Sequence, residues 1–290
     1  MSADPAITAE DLVFTAADGT PLAGRLFAPP EPTAGLLVSS ATGFPMTSYW
    51  RFAEASAKRG FATLAYDYRG IGASKPQSLR GSPITYLDWG RQDMPAALRA
   101  LEARVGDAPI LHVGHSVGGH FIGFMDNHDR IAAHGFVCVG TGYFGKHHLD
   151  QAVLGLVFWA FYGPVCLSLF DHIPAGGLWG GEALPRGVYE TWRRWCVKPR
   201  YFLDELHDRL KPHYFEAVRA PITSWIFTDD GIANPRTGAD LLTAYPNAPR
   251  ELRVRRPQDY GLKRVSHGGA FKRASAPFWP EVWETLETAL

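Results

Sequence analysis

Short apolar runs alternate with segments of helical periodicity along this chain, and that alternation restricts the fold more than any other feature. Four of the runs suit strands that are buried on both faces, and they occupy residues 35–40, 61–66, 110–114 and 135–139. Helical patterns lie between them. Because parallel strands need long crossover connections, the alternation predicts a mostly parallel, twisted sheet with helices on both faces, an α/β fold.

The two ends of the chain extend this sheet. Apolar residues 12–14 and 22–27 flank Asp18-Gly19, a pair typical of hairpin turns, and predict two antiparallel edge strands. Further strands are predicted over residues 222–228 and 251–255. Helices are predicted over residues 49–59, 84–105, 117–126, 236–245 and 277–290.

Residues 143–210 do not follow this rhythm and are rich in Trp, Phe, Gly and Pro. We expect a mostly helical cap inserted into a core domain formed by residues 1–142 and 211–290. A separately folding unit is less favoured, because so short a segment can bury only a small core.

Within the cap, residues 151–170 form a charge-free run of about the length that crosses a bilayer. Gly163-Pro164 interrupts the run, and it lies between two halves of the chain that must pack together. We therefore expect a buried or pocket-lining pair of helices and not a membrane span.

Charge and composition limit the classes of binding partner and the cellular compartment that we expect. The sequence has 29 basic and 29 acidic residues and no run of like charge, which gives no reason to expect nucleic acid as a partner. Three widely spaced cysteines predict no disulfide framework, and the amino terminus lacks the pattern of a secretory signal, so we expect a cytoplasmic protein. A homodimer is left open.

The sequence also predicts no cofactor and no metal. Its glycine-rich segments lack the strand–GxGxxG–helix context and the GK[ST] ending of nucleotide sites. His112, His115 and His120 fall on a predicted strand, turn and helix, so their rings would not converge on one ion.

The pentapeptide Gly114-His115-Ser116-Val117-Gly118 follows one predicted strand and precedes a helix. That context is the sharp strand–turn–helix elbow that exposes a nucleophilic serine, and its glycines relieve crowding around the turn. The alternative interpretation is an ordinary glycine-rich turn whose serine caps the helix. The context favours Ser116 as a nucleophile.

A serine hydroxyl needs an imidazole to take its proton and a carboxylate to orient that imidazole. On elbows of this kind the acid and then the histidine follow the serine along the chain. His267 lies in a glycine-rich loop after the last predicted strand, and Asp229 and Asp230 follow the strand at 222–228. We predict Asp230 as the acid, with Asp229 as the alternative.

Negative charge on the substrate oxygen needs two amide donors. The Val117 amide follows the nucleophile directly. The second donor is predicted in residues 42–45, where we favour the amide of Phe44, since Pro45 has no N–H.

Taken in order, these motifs resemble those of the α/β-hydrolase superfamily. Residues 39–45 are similar to its oxyanion loop, with Thr42 where many members carry histidine, and residues 67–74 are similar to its Asp-x-Arg-Gly-x-Gly-x-Ser turn. The elbow, the acid loop and the histidine loop complete the match, which omits only the cap. The Ala-Thr-Gly form of the oxyanion loop resembles a group of poorly characterised predicted hydrolases.

The resemblance implies a serine hydrolase that cleaves a carboxylic ester or thioester of a small or medium apolar acyl substrate through an acyl-enzyme. The alternatives are an acyltransferase that uses the same triad and a non-catalytic ligand-binding protein on the same scaffold. Aromatic residues of the cap can be plain packing or the lining of an acyl pocket.

Overall fold

The computed structural model describes residues 6–290. One eight-stranded sheet crosses the molecule in the order β1-β2-β4-β3-β5-β6-β9-β10. Its strands are β1 (Thr8–Thr15), β2 (Pro21–Ala28), β3 (Ala34–Ser39), β4 (Phe61–Tyr66), β5 (Ile110–His115), β6 (Ile131–Val137), β9 (Ile222–Phe227) and β10 (Arg250–Arg255), and a separate two-stranded ladder pairs β7 (His172–Ile173) with β8 (Leu184–Pro185).

Strand directions confirm the mostly parallel sheet. β2 is antiparallel to both β1 and β4, and the pairs from β4 through β10 are parallel. The hairpin at Asp18-Gly19 therefore forms as expected. Both hairpin strands were predicted to be edge strands, but of the two only β1 lies at an edge, because β2 also pairs with β4.

Helices occupy most of the connections between strands. They are α1 (Trp50–Lys58), α2 (Tyr86–Asp88), α3 (Met94–Val105), α4 (Val117–His120), α5 (Leu149–Val157), α6 (Gly163–Phe170), α7 (Arg186–Cys196), α8 (Pro235–Leu242) and α9 (Trp279–Glu287). Single π-helical segments, Trp89–Asp93 and Phe158–Tyr162, join α2 to α3 and α5 to α6. Short 3₁₀ turns are Met46–Tyr49, Gly72–Ser74, Phe121–Phe124, His128–Arg130, Phe144–Lys146, Leu203–Glu205, Pro257–Tyr260 and Arg273–Phe278.

Several element boundaries differ from the sequence prediction, and two of the differences lie in elements next to the predicted nucleophile. The strand predicted at 135–139 begins four residues earlier, because its pairing with β5 begins at Ile131. The helix predicted over 117–126 ends as an α-helix at His120 and continues as a 3₁₀ turn. Gly118, Gly119 and Gly123 lower the helical propensity of this segment, which accounts for the early end.

The core has two large clusters that cover opposite faces of the central strands. Leu37 and Leu64 belong to one cluster, whereas Leu36 and Ala65 belong to the other, as expected when neighbouring residues of a strand point to opposite faces. The carboxyl ends of the parallel strands consequently meet at one edge of a rigid sheet, the usual place for a binding site in such sheets.

The segment between β6 and β9 contains α5, α6, α7 and the short β7–β8 ladder. We keep the name cap for residues 143–210, the bounds predicted from the sequence. The buried or pocket-lining pair of helices expected over residues 151–170 is instead one uninterrupted helical stretch, Leu149–Phe170, most of which is not buried. This stretch is long and apolar enough to cross a membrane by length and composition alone. We call this stretch the cap helix.

Candidate active site

Ser116 sits at the sharp turn between β5 and α4, with φ +52° and ψ −115°. This conformation is rare for a residue with a side chain, and strained backbones of this kind cluster at functional sites. Neighbouring glycines make it possible. A Cβ on Gly118 would lie 2.2 Å from the carbonyl oxygen of Ser39, and one on Gly114 would lie 2.6 Å from the backbone of Gly118. The predicted elbow is therefore present, and it packs directly on β3.

His267 joins Ser116 to a carboxylate. Its Nε2 atom lies 3.1 Å from Ser116 Oγ, and its Nδ1 atom lies 2.8 Å from Asp230 Oδ2. An ionised carboxylate can only accept, so Nδ1 carries the proton and Nε2 is left to accept from the serine hydroxyl. Residues from three distant segments thus form one continuous hydrogen-bonded chain.

Asp229 and Asp230 have separate roles. Asp230 Oδ1 accepts the amides of Ile232 and Ala233, both at 2.9 Å, while its other oxygen faces His267. Asp229 instead accepts the amides of Val265 and Ser266 at 2.8 and 3.0 Å. Asp229 therefore holds the loop that carries the imidazole, and Asp230 contacts the imidazole itself.

Asp230 is fully buried, yet it has the partners that favour its charged form. Burial by itself would raise the pKa of Asp230, but the adjacent His267 ring and the amides of Ile232 and Ala233 hold that pKa below its usual value. The carboxylate is therefore charged at neutral pH and oriented from two sides.

A second chain of hydrogen bonds runs behind the first. His115 Nε2 lies 2.8 Å from the carbonyl oxygen of His267, and its Nδ1 lies 2.8 Å from the Tyr49 hydroxyl. Since the carbonyl only accepts, Nε2 donates to it, Nδ1 accepts from Tyr49, and the Tyr49 oxygen accepts the Ala41 amide at 2.8 Å. Burial, and next the neighbouring His267, lower the pKa of His115 to about 3, which keeps this ring neutral.

This second chain of hydrogen bonds connects the oxyanion loop (residues 39–45), the elbow and the histidine loop (residues 264–269) to one another. His115 was not assigned to the site from the sequence. A histidine at the second position of the elbow was the only available signal, and its partners become apparent only when the three loops are folded together.

The two predicted amide donors differ in their surroundings. Val117 begins α4, where the first amides have no acceptor within the helix, and it directly follows Ser116. The Phe44 amide donates to the Ala41 carbonyl at 3.1 Å and closes a turn. An oxyanion at Phe44 would therefore share this proton with the Ala41 carbonyl.

The Asp-x-Arg-Gly turn (residues 67–70) packs beside the oxyanion loop. Asp67 accepts the Met46 amide at 2.6 Å and the Ala73 amide at 2.8 Å. Burial raises the pKa of Asp67 to about 6. Arg69 binds the buried carboxylate of Asp93 at 2.7 Å. These contacts join the turn to the residue that follows the oxyanion loop and to the helical segment Trp89–Asp93.

Comparison with known proteins identifies the fold. The family described as serine aminopeptidase, S33, matches residues 30–166, just under half of the chain, and no curated protein matches the sequence. Among solved structures, an esterase of Pyrococcus furiosus has 16% identity and a TM-score of 0.63 over 97% of this chain and 91% of its own.

A soluble variant of monoglyceride lipase from Saccharomyces cerevisiae has 14% identity and a TM-score of 0.63 over 100% of this chain and 97% of its own. The thioesterase domain from the curacin biosynthetic pathway has 14% identity and a TM-score of 0.56 over 95% of this chain and 99% of its own. The chain has the α/β-hydrolase fold. At such low identity, the likeness extends to the fold and not to a substrate.

In this α/β-hydrolase fold, a cavity of about 640 Å³ lies between the carboxyl ends of the strands and the cap. Ser116 and His267 form part of its floor. Its roof comes from aromatic and aliphatic side chains of the cap, namely Leu154, Phe158, Trp159, Leu178, Trp179 and Trp192. Such a cavity suits a ligand with an apolar body and one polar group to orient it.

Two further histidines line this cavity, and the sequence did not assign either to the site. His120 is buried and its Nε2 donates to the Gly140 carbonyl at 2.8 Å, while burial lowers its pKa to about 3. His147 is half-buried, and burial lowers its pKa to about 4. Both rings are therefore neutral at pH 7, and they add polarity to the wall without adding charge.

Within residues 6–290, no group of three or more His, Cys, Asp or Glu side chains is arranged to hold a metal ion. His112, His115 and His120 have different hydrogen-bonding neighbours, namely His134, Tyr49 and the Gly140 carbonyl.

The cap touches the oxyanion loop at one tight point. A Cβ on Gly43 would lie 2.3 Å from the indole of Trp179, and the Gly43 carbonyl accepts the Glu182 amide at 2.9 Å. Gly43 also has φ +74°. A glycine is needed here both for the backbone conformation and for the close approach of the indole.

Proposed function

We propose that the protein is a serine hydrolase that cleaves carboxylic esters or thioesters of small to medium apolar acyl groups in the cytoplasm. The observation that carries the proposal is the position of His267, which lies within hydrogen-bonding distance of both Ser116 and Asp230. Chance proximity of a serine to a histidine would not also supply a buried, charged carboxylate on the opposite ring nitrogen.

The proposed reaction begins with attack by Ser116 Oγ on the acyl carbon while His267 Nε2 takes the hydroxyl proton. The developing oxyanion lies near the Val117 amide, with Phe44 as the second donor, and each such donor is typically worth about 3 kcal/mol in the transition state. His267 then gives its proton to the departing alcohol or thiol. Asp230 stays ionised throughout and stabilises the imidazolium.

Water completes the cycle. It attacks the acyl group on Ser116, His267 accepts a proton from it, and Ser116 Oγ takes that proton back as the carboxylic acid leaves. The cap walls supply apolar contacts for the acyl chain, and the rings of His120 and His147 are neutral. Glu182 contributes an acidic residue to the lining, and no lysine or arginine within residues 6–290 lines the cavity. An uncharged acyl substrate fits these walls better than an anionic one.

The first test measures turnover of p-nitrophenyl acetate, butyrate and octanoate together with labelling by a fluorophosphonate probe. The Ser116→Ala variant should lose the label and lose at least about 10⁴-fold in kcat, the loss that removal of such a nucleophile produces. Ser48, another serine that lines the cavity, supplies the matched control. Ser48→Ala should keep the label and change kcat less than about threefold, since it lacks the histidine partner.

The same measurements separate the two alternative functions. A wild-type protein with neither label nor turnover would contradict the hydrolase proposal and favour ligand binding alone. Labelling with acyl transfer to added alcohols or amines in place of free acid would favour an acyltransferase. Product analysis by mass spectrometry distinguishes the two acceptors.

A further inference from the structure

The outer side of the cap helix exposes a continuous apolar surface. Nine of its large apolar side chains are between 39% and 81% exposed, and they recur along its full length: Leu149, Val153, Leu154, Leu156, Val157, Phe161, Val165, Leu169 and Phe170. Six of them follow one another at every fourth residue, from 149 to 169. A contiguous apolar surface on a folded protein usually marks an interaction site.

The inner side of the same helix is attached to the body of the protein. Phe158 and Trp159 are buried, and the Tyr189 hydroxyl donates to both of their carbonyl groups at 3.2 and 3.3 Å. Arg193 also donates to the Trp159 carbonyl at 2.7 Å. The helix is therefore anchored along one side, which a helix crossing a bilayer could not be without taking Tyr189 and Arg193 with it.

The exposed apolar surface continues into the cavity. Leu154, on the cap helix, and Leu178, on the loop that follows it, are each nearly half exposed, and both line the cavity that contains Ser116 and His267. An apolar molecule held against the outer surface of the cap would thus meet apolar side chains along its whole path to the nucleophile.

Charge further limits what can bind there. The cap helix has no Lys, Arg or Glu, and its one acidic residue, Asp150, lies in its first turn. The whole chain has a formal net charge of zero. The occupant is therefore selected by apolar contact and not by electrostatic attraction.

A second copy of this chain could cover the same surface, but a rigid partner over Leu154 and Leu178 would close the path to Ser116. A fluid lipid surface covers the apolar side chains and at the same time leaves lipid-like molecules free to move into the cavity. Amphipathic helices lie in the plane of a membrane interface with their apolar side turned toward the lipid. In the cap helix the body of the protein takes the place of the polar side.

We propose that the outer side of the cap helix docks on the surface of a lipid bilayer without net charge, and that acyl amphiphiles enter the cavity from that surface. The proposal that the cap helix docks on a bilayer depends only on its exposed apolar surface. The identity of the substrates as membrane-borne acyl amphiphiles rests additionally on the proposed hydrolase function.

The test uses the full-length protein with phosphatidylcholine vesicles and measures the bound fraction by co-sedimentation. The variant Val153→Gln, Phe161→Gln, Leu169→Gln removes three apolar contacts from the docking surface and should weaken the vesicle partition coefficient by about ten- to a hundredfold. The matched control is Val13→Gln, Val254→Gln, Leu290→Gln, which changes three exposed apolar residues outside the cap and should bind like the wild type.

Hydrolysis is measured separately on a soluble ester and on an ester embedded in the vesicles. The docking variant should match the wild type on the soluble ester within about twofold, and should lose at least about tenfold on the embedded ester. Vesicle binding that persists in the docking variant, or wild-type protein that remains in the supernatant, would overturn the proposal.

The remaining outcomes are also distinguishable. A wild-type dimer that the docking variant converts to monomer, with no vesicle binding, would assign the surface to a second copy and overturn the proposal. Specific vesicle binding without any ester hydrolysis would leave the docking supported and would contradict the hydrolase function instead.

Discussion

Two adjacent carboxylates illustrate how much depends on single residues in this site. Asp229 and Asp230 are neighbours in the sequence and both follow β9, yet one binds backbone amides of the histidine loop and the other binds the His267 ring. Sequence reasoning could narrow the choice to this pair, because an acid must follow that strand. Their contacts give the two carboxylates different structural roles.

Replacement of each acid by its amide should separate these roles. Asp230→Asn removes the acceptor that fixes the His267 tautomer and should lower kcat by about 10⁴-fold, as in triads that lose this acceptor. Asp229→Asn keeps a carbonyl oxygen to accept the amides of Val265 and Ser266, so kcat should fall less than about tenfold. Steady-state kinetics on one p-nitrophenyl ester checks both, and equal losses would contradict the assignment.

His115 could not be assigned from the sequence for a physical reason. Its partners are Tyr49 and the carbonyl of His267, which are 66 and 152 residues away along the chain. Ser116, Asp230 and His267 were predictable because each follows a strand whose carboxyl end must reach the same edge of the sheet. The role of His115 depends on side-chain contacts between loops, for which the sequence carries no periodic signal.

At the scale of secondary-structure elements, the cap and the oxyanion loop meet closely at Gly43, where a Cβ would lie 2.3 Å from the indole of Trp179. Gly43 and Gly176 both have positive φ values, of 74° and 75°, but only Gly43 has a neighbour within 4 Å of its missing Cβ. A comparison of the two positions therefore separates backbone strain from the displacement of Trp179.

Gly43→Ala and Gly176→Ala should each lower the free energy of unfolding by about 1–2 kcal/mol through strain at positive φ. Only Gly43→Ala should also push Trp179 away, disturb the loop that carries Phe44, and lower kcat/KM by at least about tenfold. Urea unfolding and ester kinetics provide the two measurements. Unchanged kcat/KM in Gly43→Ala would show that this contact has no effect on the reaction.

Most of the sheet could be predicted because buried parallel strands are apolar runs with clear limits. The start of β6 could not, since Ala132-Ala133-His134 has neither the apolar character nor the alternation of a strand. The start of α4 at Val117 was predicted, but its end was not: the helical pattern continues past His120, whereas the glycines and their packing neighbours end the α-helix there. A Cβ on Gly123 would lie 2.3 Å from the Phe215 ring.

For the molecule as a whole, buried neutral histidines link stability to pH. His112 and His134 are buried on neighbouring strands, with their Nδ1 atoms 3.3 Å apart. Burial lowers the pKa of His134 to about 3, and it lowers the pKa of His112 well below its ordinary value. The folded protein therefore keeps both rings neutral under conditions in which the unfolded chain binds protons.

Below pH 6.5 these two rings bind more protons in the unfolded state than in the folded state, so their contribution lowers the free energy of unfolding as the pH drops. Between pH 6.5 and 5, the two rings together should account for roughly 3 kcal/mol of this loss. His112→Leu with His134→Leu should remove that part of the pH dependence.

Urea unfolding at pH 6.5 and pH 5 measures the difference. The control replaces His148 and His207, whose side chains are exposed and which folding does not remove from water, and it should keep the wild-type pH dependence. A variant at 112 and 134 that loses stability with acid as steeply as the wild type would show that other groups cause the acid sensitivity.

The histidine loop is held from three sides before any substrate arrives: Asp229 binds its backbone, Asp230 binds its ring, and His115 donates to its carbonyl. The conformational entropy of this loop is therefore lost when the chain folds and not when substrate binds. Substrate binding therefore does not have to order the imidazole, and the binding free energy depends mainly on contacts with the acyl chain. Selectivity should accordingly change with substitutions in the cap, while the rate of the chemical step should respond mainly to the three anchors.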